Sequence, residues 1–570
     1  MTVLHGMDRP AFQNISALST LRLYGDTLIK GVLVAVSFGL LAVFVLYPLT
    51  VILAKSFVLE DGSAGVGNYV RYVTEPRLLA ITIRSLKVTV CATAITVVLA
   101  YGFAYAMTRT QMAWKPFWRI CAMVPIFAPS LVQALGLQFL LGRNGLVGSL
   151  LGIRVDIYGF WGILIADVLY AFPHAVLILT SALAISDRRL YEAAKMLGAS
   201  DRRIFRTVTL PGSRYGIMSA IFVVFTIVIT DFGNAIVIGG DYSVLATEIY
   251  NQVSGQANFN RGAVIGVFLL IPAALAMLIE HWVTKRQAAL LTSDSVPYVP
   301  LASKLAGRVA FAYVAVVCGA ILLVVGIVVF ASFTRLWPYD PSLTFKNYIV
   351  DVQNGYAPLW TSIWMSLIAA VLGTIIVTMN AYIVQKIQHP LMRVLYFFSI
   401  LPAAVPGMVL GLGYILAFND PRNPVYLIYG TVLMLAINTV FHYHAQAFLI
   451  ATTTLKQISR TFDEASAMLG SSFLGTLWRI SLPLLWPSLI SLALFLFMRA
   501  MVTLSAVIFL VSPDNSVAAI SVLLLDDSGR STQAAAFATI IMAVVLAALL
   551  LFNFVLRLAR KPEGGLSKPV

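Results

Sequence analysis

The sequence predicts an all-α polytopic membrane protein of about 12 transmembrane helices, arranged as two parallel six-helix repeats. Three observations predict it. The 570 residues are 60% hydrophobic and only 11% charged, against roughly 25% charged in soluble domains. Apolar runs of the length a bilayer demands, about 20 residues, recur along the whole chain. One short polar loop occurs twice, 272 positions apart, and each copy interrupts such runs.

In the first half the spans lie near residues 31–54, 80–107, 117–141, 158–185, 215–239 and 262–283. In the second half they lie near 308–332, 360–385, 391–418, 425–455, 485–511 and 533–558. The halves share smaller features. After each first span comes Asn-Tyr, as Asn68-Tyr69 and Asn347-Tyr348. Each third span carries Pro-x-x-x-Pro and a later glycine: Pro125, Pro129, Gly136 against Pro402, Pro406, Gly413. Paired prolines bend a helix, and neighbouring helices and water re-satisfy the freed backbone groups. The bends are either packing kinks or the walls of a cavity. An even number of spans per half gives both repeats one orientation, related by an axis along the membrane normal. Residues 1–283 and 308–570 are therefore the halves. The polar stretch 284–307, with Thr292-Ser293-Asp294-Ser295, is the linker.

A net charge of +15 would point to nucleic acid in a soluble chain. Here the positive-inside rule explains it. No basic patch is interleaved with exposed aromatics, so no nucleic-acid partner is expected. The first loop alone holds Arg188, Arg189, Lys195, Arg202, Arg203, Arg206 and Arg214, and the linker region adds Lys285, Arg286, Lys304 and Arg308. This bias places both termini, the linker and both loops in the cytoplasm. Glu60-Asp61 and Asp526-Asp527 fall on the other face. Cys91, Cys121 and Cys318 are far apart and carry no disulfide or metal spacing. The first span is expected to be retained rather than removed as a cleavable signal.

The repeated loop reads Glu192-Ala193-Ala194, Gly198, Leu210-Pro211 and then Glu464-Ala465-Ser466, Gly470, Leu482-Pro483. In each copy the glycine follows the glutamate by six residues and the proline follows it by 19. The first copy parses as two short helices. Ser186 is the expected N-cap of 187–197, Gly198 the left-handed stop, and Ser200 the cap of a second helix ended by Leu210-Pro211. In the second, Thr461 and Glu464 have capping-box spacing, Gly470 stops the helix and Ser472 starts the next. Small residues after the glutamate permit close approach to another surface. The glutamate can pair with a base on this chain or on a partner. Two equivalent copies suit a two-fold-symmetric partner; a single copy would equally suit a loop lying on its own membrane domain.

This pattern resembles the EAA loop of binding-protein-dependent ABC importer permeases, with Ser466 in place of the last alanine. The resemblance covers nearly the whole chain as two fused permease halves. It implies that residues 187–212 and 459–484 seat a short helix in a cleft on each subunit of a cytoplasmic ABC ATPase homodimer. It also implies a periplasmic solute-binding protein and a multi-pass location in the bacterial inner membrane. ATP and Mg would be held by the ATPase. The tract Thr230-Asp231-Phe232-Gly233, Gly239-Gly240-Asp241-Tyr242 and Leu245-Ala246-Thr247-Glu248-Ile249-Tyr250 is similar to the 2-aminoethylphosphonate branch of the ferric-iron group. The substrate order this implies is phosphonate, then ferric iron, then thiamine or another small solute. No phosphate-cradling Gly-x-x-x-x-Gly-Lys-Ser/Thr, His-Glu-x-x-His, catalytic triad or Cys-His cluster is present. The expectation is a permease without catalytic or metal-binding residues and without cofactors of its own. Its rivals are an ion-coupled secondary transporter and a membrane scaffold; the basic Gly-x-x-x-Asp-Arg loop of common twelve-helix facilitators is missing from 108–116.

Ionisable residues at membrane depth mark function. Arg499 lies inside the fifth span of the second half, Asp231 near the end of the fifth span of the first, and Thr503 at the position equivalent to Asp231. Asp231 and Arg499 read as an ion pair between the halves, as Asp231 reaching the outer interface, or as a polar path for a zwitterion. His442 and His444 point to different helix faces, and with His174 they read as satisfied core or cavity-lining residues. Arg84 and Lys87 near a span end snorkel outward.

Overall fold

Among the residues described, nine helices are long and apolar enough to cross a membrane, or up to 12 if each of three bent pairs is one span. The computed structural model describes residues 9–59, 61–153, 155–289, 303–349 and 355–559. Glu60 and residues 290–302 of the expected linker lie outside them. Apart from a short hairpin, Thr334–Leu336 against Asp340–Leu343, the architecture is helical as expected.

The third spans are broken rather than kinked. Lys115–Phe127 meets Leu131–Leu151 at 102°, and Leu391–Ala404 meets Gly407–Phe418 at 108°. Proline removes a donor and forces the residue before it out of the helical region. Ala128 and Val405, each preceding the second proline, are extended.

The fifth spans also stop early. Arg214–Ile229 and Leu482–Met501 end at repeat-equivalent residues, about ten short of the expected limits. In the first half Thr230-Asp231-Phe232 unwinds before the short helix Gly233–Ile238. The apolar run continues past the break because the broken segment is buried in protein, and periodicity does not separate the two cases. Each half then adds a short helix, Leu245–Tyr250 and Ala518–Asp527. A serine of the second span caps each in the same way: Ser85 Oγ accepts from Leu245 N at 2.7 Å, and Ser362 Oγ accepts from Ala518 N at 2.8 Å.

The Asn-Tyr pairs are staples. Asn68 Nδ2 donates to Ser56 O and Val58 O at 3.2 and 2.7 Å; Asn347 Nδ2 donates to Ser332 O and Thr334 O at 3.0 and 2.7 Å. Each asparagine satisfies carbonyls left open where the first span ends.

The first spans are exchanged between halves. Gly25–Ser56 lies on the third span of the second half, where Tyr414 Oη donates to Phe44 O at 2.9 Å. Lys304–Ser332 lies on the first half, where Tyr313 Oη donates to Leu99 O at 2.7 Å. Gly136 and Gly413 are the contact points. A Cβ on Gly136 would come within 2.3 Å of Val324 O, and one on Gly413 within 2.9 Å of Pro48 Cβ. The common glycine spacing in the sequence thus records where an exchanged helix presses on the repeat.

This packing predicts unequal costs for two glycine substitutions. Gly136→Ala should lose about 1–3 kcal/mol through overpacking. Gly319→Ala, where nothing lies within 4 Å, should cost nothing or gain slightly from helix propensity. Thermal unfolding of the two detergent-purified variants checks the difference; equal melting temperatures would contradict the exchanged packing.

Candidate functional site

The first signature loop begins with helix Arg188–Met196. Its cap is Asp187, whose Oδ1 accepts from Arg189 N at 2.9 Å, and not Ser186. Gly198 and Gly470 are left-handed, with φ of 72° and 69°, so both stops are as expected. Ser200 occupies the cap position of Asp201–Ile204. In the second copy Ser459, not Thr461, precedes helix Arg460–Met468, and its Oγ accepts from Thr461 N at 3.3 Å. Ser472 caps Phe473–Thr476 by accepting from Gly475 N at 3.0 Å.

Leu-Pro does not end the second short helix. Helical backbone runs on through a π-turn, Phe205–Thr209 before Leu210-Pro211 and Leu477–Ser481 before Leu482-Pro483. The wider turn removes the need for the hydrogen bond proline cannot donate and moves the preceding carbonyl off its ring.

Glu192, Ala193, Gly198, Glu464, Ala465 and Gly470 are exposed, and Ala194 is half-buried. Glu192 Oε1 accepts from Arg188 Nε of its own helix at 2.6 Å. Ser466 turns inward: it is buried, and its Oγ lies 2.8 Å from Thr476 Oγ1. Ala194 and Ile204 hold the equivalent positions in the first copy. The departure from the motif therefore sits in the joint between the two short helices and not on the outer face.

Sequence reasoning missed the apolar tip. Met196 and Leu197 are 89% and 87% exposed, and Met468 and Leu469 are 89% and 87% exposed. Large apolar side chains held out on two equivalent polar loops form paired exposed apolar patches. Their signal in the sequence was an apolar pair immediately before each left-handed glycine.

Both loops are fastened to the end of the second span of their own half. Arg109 Nη2 donates to Leu183 O at 2.8 Å and to Tyr191 Oη at 3.2 Å, with the guanidinium 5.0 Å from the Tyr191 ring centroid. In the second half Lys386 pairs with Asp463. Tyr191 and Asp463 each immediately precede the signature glutamate. The second loop has a further tie: Asp26 Oδ1, on the first span, accepts from Phe473 N at 2.8 Å.

A cavity of about 140 Å³ lies where the broken third and fifth spans of both halves converge. Asp231, Arg499 and Thr503 all line it. Two further pairs of repeat-equivalent residues, Tyr170 with His442 and His174 with Gln446, face it from the fourth spans. Asp231 is buried, so it does not reach an outer interface. Asp231 and Arg499 do not form an ion pair. Asp231 Oδ2 accepts from Asn234 N at 2.8 Å, capping the short helix that follows the break. Arg499 Nη2 lies 2.9 Å from His174 Nε2 and the guanidinium sits 5.7 Å from the Tyr443 and Phe495 ring centroids. Arginine only donates, so in this contact His174 accepts through Nε2.

The other histidines fall as expected. His442 lines the cavity. His444 is buried core, satisfied by Ser399 O at 3.0 Å and Asn380 Nδ2 at 3.1 Å. Arg84 and Lys87 are exposed and lie over the rings of Tyr242 and Phe160. Among the described residues no three His, Cys, Asp or Glu side chains are grouped to hold a metal ion.

Nine to twelve long apolar helices among the described residues, a polar cavity among the broken spans and two presented loops fit a multi-pass membrane permease. Residues 92–338 and 381–562 match the family of binding-protein-dependent transport system inner membrane components. The chain is 31% identical over 564 residues to the ferric transport system permease protein FbpB of Actinobacillus pleuropneumoniae, covering 95% of this chain and 80% of that one. It is 31% identical over 525 residues to the putative ferric transport system permease protein FbpB 1 of Haemophilus influenzae, covering 88% and 82%. The spermidine/putrescine transport system permease protein PotB of Haemophilus influenzae matches at 27% over 267 residues, 93% of its own length but 44% of this chain. The chain belongs to the binding-protein-dependent transport system inner membrane components, as a non-catalytic permease subunit of an ABC-type importer. Membership implies ATPase and solute-binding partners.

The contacts around Arg499 make a prediction. A double-mutant cycle of Arg499→Leu with His174→Phe should show coupling of about 1 kcal/mol or more in thermal stability. The cycle of Arg499→Leu with Asp231→Asn should show clearly less. A larger coupling for the second pair would contradict the arrangement.

Proposed function

We propose that the two signature loops dock an ABC ATPase homodimer at the cytoplasmic face, and that the central cavity is the translocation path for a small solute with an anionic group. The observation that supports docking most directly is the paired exposure of Met196-Leu197 and Met468-Leu469 beside the exposed glutamates. An apolar tip ringed by polar residues is the usual make-up of an interface core.

The coupling route is short. Each loop joins a fourth span to a fifth span, and these spans carry Tyr170, His174, Arg499 and the residues beside the breaks. Drawing the loops together on ATP binding would move both cavity walls at once. The ties Arg109–Tyr191 and Lys386–Asp463 extend that movement to the second spans. In this reading both termini are cytoplasmic, the protein lies in the bacterial inner membrane, and a periplasmic binding protein delivers solute to the opposite face.

For cargo, the guanidinium of Arg499 favours an anion, and the Asp231 carboxylate across the same cavity favours an ammonium group. A phosphonate with an amine, 2-aminoethylphosphonate, fits both. Ferric iron is the second reading, supported by the similarity to two ferric transport permeases.

Reconstitution with the ATPase and binding protein tests both parts. Glu192→Lys and Gly198→Asp should insert normally yet lower solute-stimulated ATP hydrolysis by about tenfold, the effect of roughly 1.4 kcal/mol lost at a docking contact. Undiminished stimulation in both would refute docking here. Uptake of labelled 2-aminoethylphosphonate is expected; uptake of ferric iron without it would establish the second reading.

A further inference from the structure

A second cavity, about 80 Å³, lies at the end of the bundle opposite the signature loops. It is bounded by the start of the second span at Pro76, the start of the sixth at Phe259, and the short helix Leu245–Tyr250. Its floor holds two carboxamide and carboxylate acceptors. Glu248 is 1% exposed and Gln252 4%. Gln252 Nε2 donates to Glu248 Oε1 at 2.9 Å. That bond leaves Glu248 Oε2 and Gln252 Oε1 without a hydrogen-bond donor. Arg77 stands 3.7 Å from Glu248 Oε2 with its side chain two-thirds exposed. Arg71, Arg261 and a second carboxylate, Glu75, also line the pocket.

The fold does not require this chemistry. The equivalent short helix Ala518–Asp527 is capped by the same kind of serine bond. Counting from the capped residues Leu245 and Ala518, it has Ser521 where Glu248 stands and Leu525 where Gln252 stands. A buried carboxylate with an open acceptor is costly unless something donates to it. Two open acceptors beside each other match the several N–H donors of a primary ammonium. The largely exposed guanidinium of Arg77 matches an anion such as phosphonate, sulfonate or carboxylate. It would also repel a lysine side chain that carried no anion of its own.

We propose that this pocket binds a small zwitterion, its primary ammonium on Glu248 and Gln252 and its anionic group on Arg77. The site is separate from the central cavity and stands on its own lining, whatever solute crosses the centre.

Calorimetric titration of the full-length protein in nanodiscs tests it, with 2-aminoethylphosphonate and β-alanine as probes. Ethylphosphonate, lacking the ammonium, and ethylamine, lacking the anion, are the comparators. At least one zwitterion should bind, with both comparators weaker by about tenfold. Glu248→Gln and Gln252→Leu should each weaken that zwitterion by about tenfold, while Gly319→Ala, which lines neither cavity, leaves its binding intact. Arg77 can turn to solvent, so Glu248→Gln should fold, and its melting temperature verifies that. No binding of either zwitterion to the wild type would overturn the proposal. So would unchanged binding in both pocket variants, or binding lost in Arg499→Leu but kept in Glu248→Gln, which would place the ligand in the centre. If the wild type binds neither zwitterion and Glu248→Gln instead weakens capture of the binding protein, the pocket is a protein contact and the proposal fails. Central transport of 2-aminoethylphosphonate is read separately by uptake, so failure of one reading does not conceal the other.

Discussion

Backbone opened inside a bilayer has no water to satisfy it, and this constraint organises the centre of the protein. Four spans break at membrane depth, and protein groups take up the freed polar atoms. In the first half Asp231 caps the short helix after its break, and Asn234 Nδ2 reaches Asp167 Oδ1 at 3.0 Å. In the second, Asn438 Nδ2 donates to Ala506 O at 2.6 Å. The cavity lies among these breaks because unwound segments cannot pack as closely as helices. Part of its polarity follows from the same cause, since Asp231, which satisfies broken backbone, also lines the space.

The repeats keep geometry and exchange chemistry. At the crossing of the third and fifth breaks, a Cβ on Gly233 would come within 2.2 Å of Ser130 Oγ. In the other half Gly407 holds the position equivalent to Ser130 and Ser505 the one equivalent to Gly233, and a Cβ on Gly407 would come within 2.4 Å of Ser505 Oγ. One member of each pair must lack a side chain, and which one is free to change. The loop ties behave alike: a cation–tyrosine contact at Arg109–Tyr191 becomes an ion pair at Lys386–Asp463. So does the joint between the short helices, apolar at Ala194 and Ile204 and hydrogen-bonded at Ser466 and Thr476. A pseudo-symmetric scaffold can thus present two similar exposed loop faces while its interior diverges.

Much of this was legible in the sequence because it recurs. The spans, the loops, the left-handed Gly198 and Gly470 and the cavity residues Asp231, Arg499 and Thr503 were marked by spacing or by charge in an apolar run. The breaks after Ile229 and Met501 were not, because a buried non-helical segment is as apolar as a helix. The absence of an Asp231–Arg499 ion pair was also out of reach. Repeat offset places both residues at one crossing, but the partners are chosen by neighbours distant in sequence, His174 for Arg499, and by the local helix start at Asn234 for Asp231. The cap at Asp187 in place of Ser186 is a one-residue boundary shift, the least legible feature of any helix.

The central claim is that the cavity between the broken spans is the solute path and that its access alternates under control of the loops. Thiol labelling of Thr503→Cys in an otherwise cysteine-free protein tests it most directly, using a small impermeant reagent supplied from one side of the membrane at a time. With the ATPase bound, the cysteine should react from one side without nucleotide and from the other when a non-hydrolysable ATP analogue is trapped. Reaction from the same side in both states, or from neither side in either state, would contradict the account.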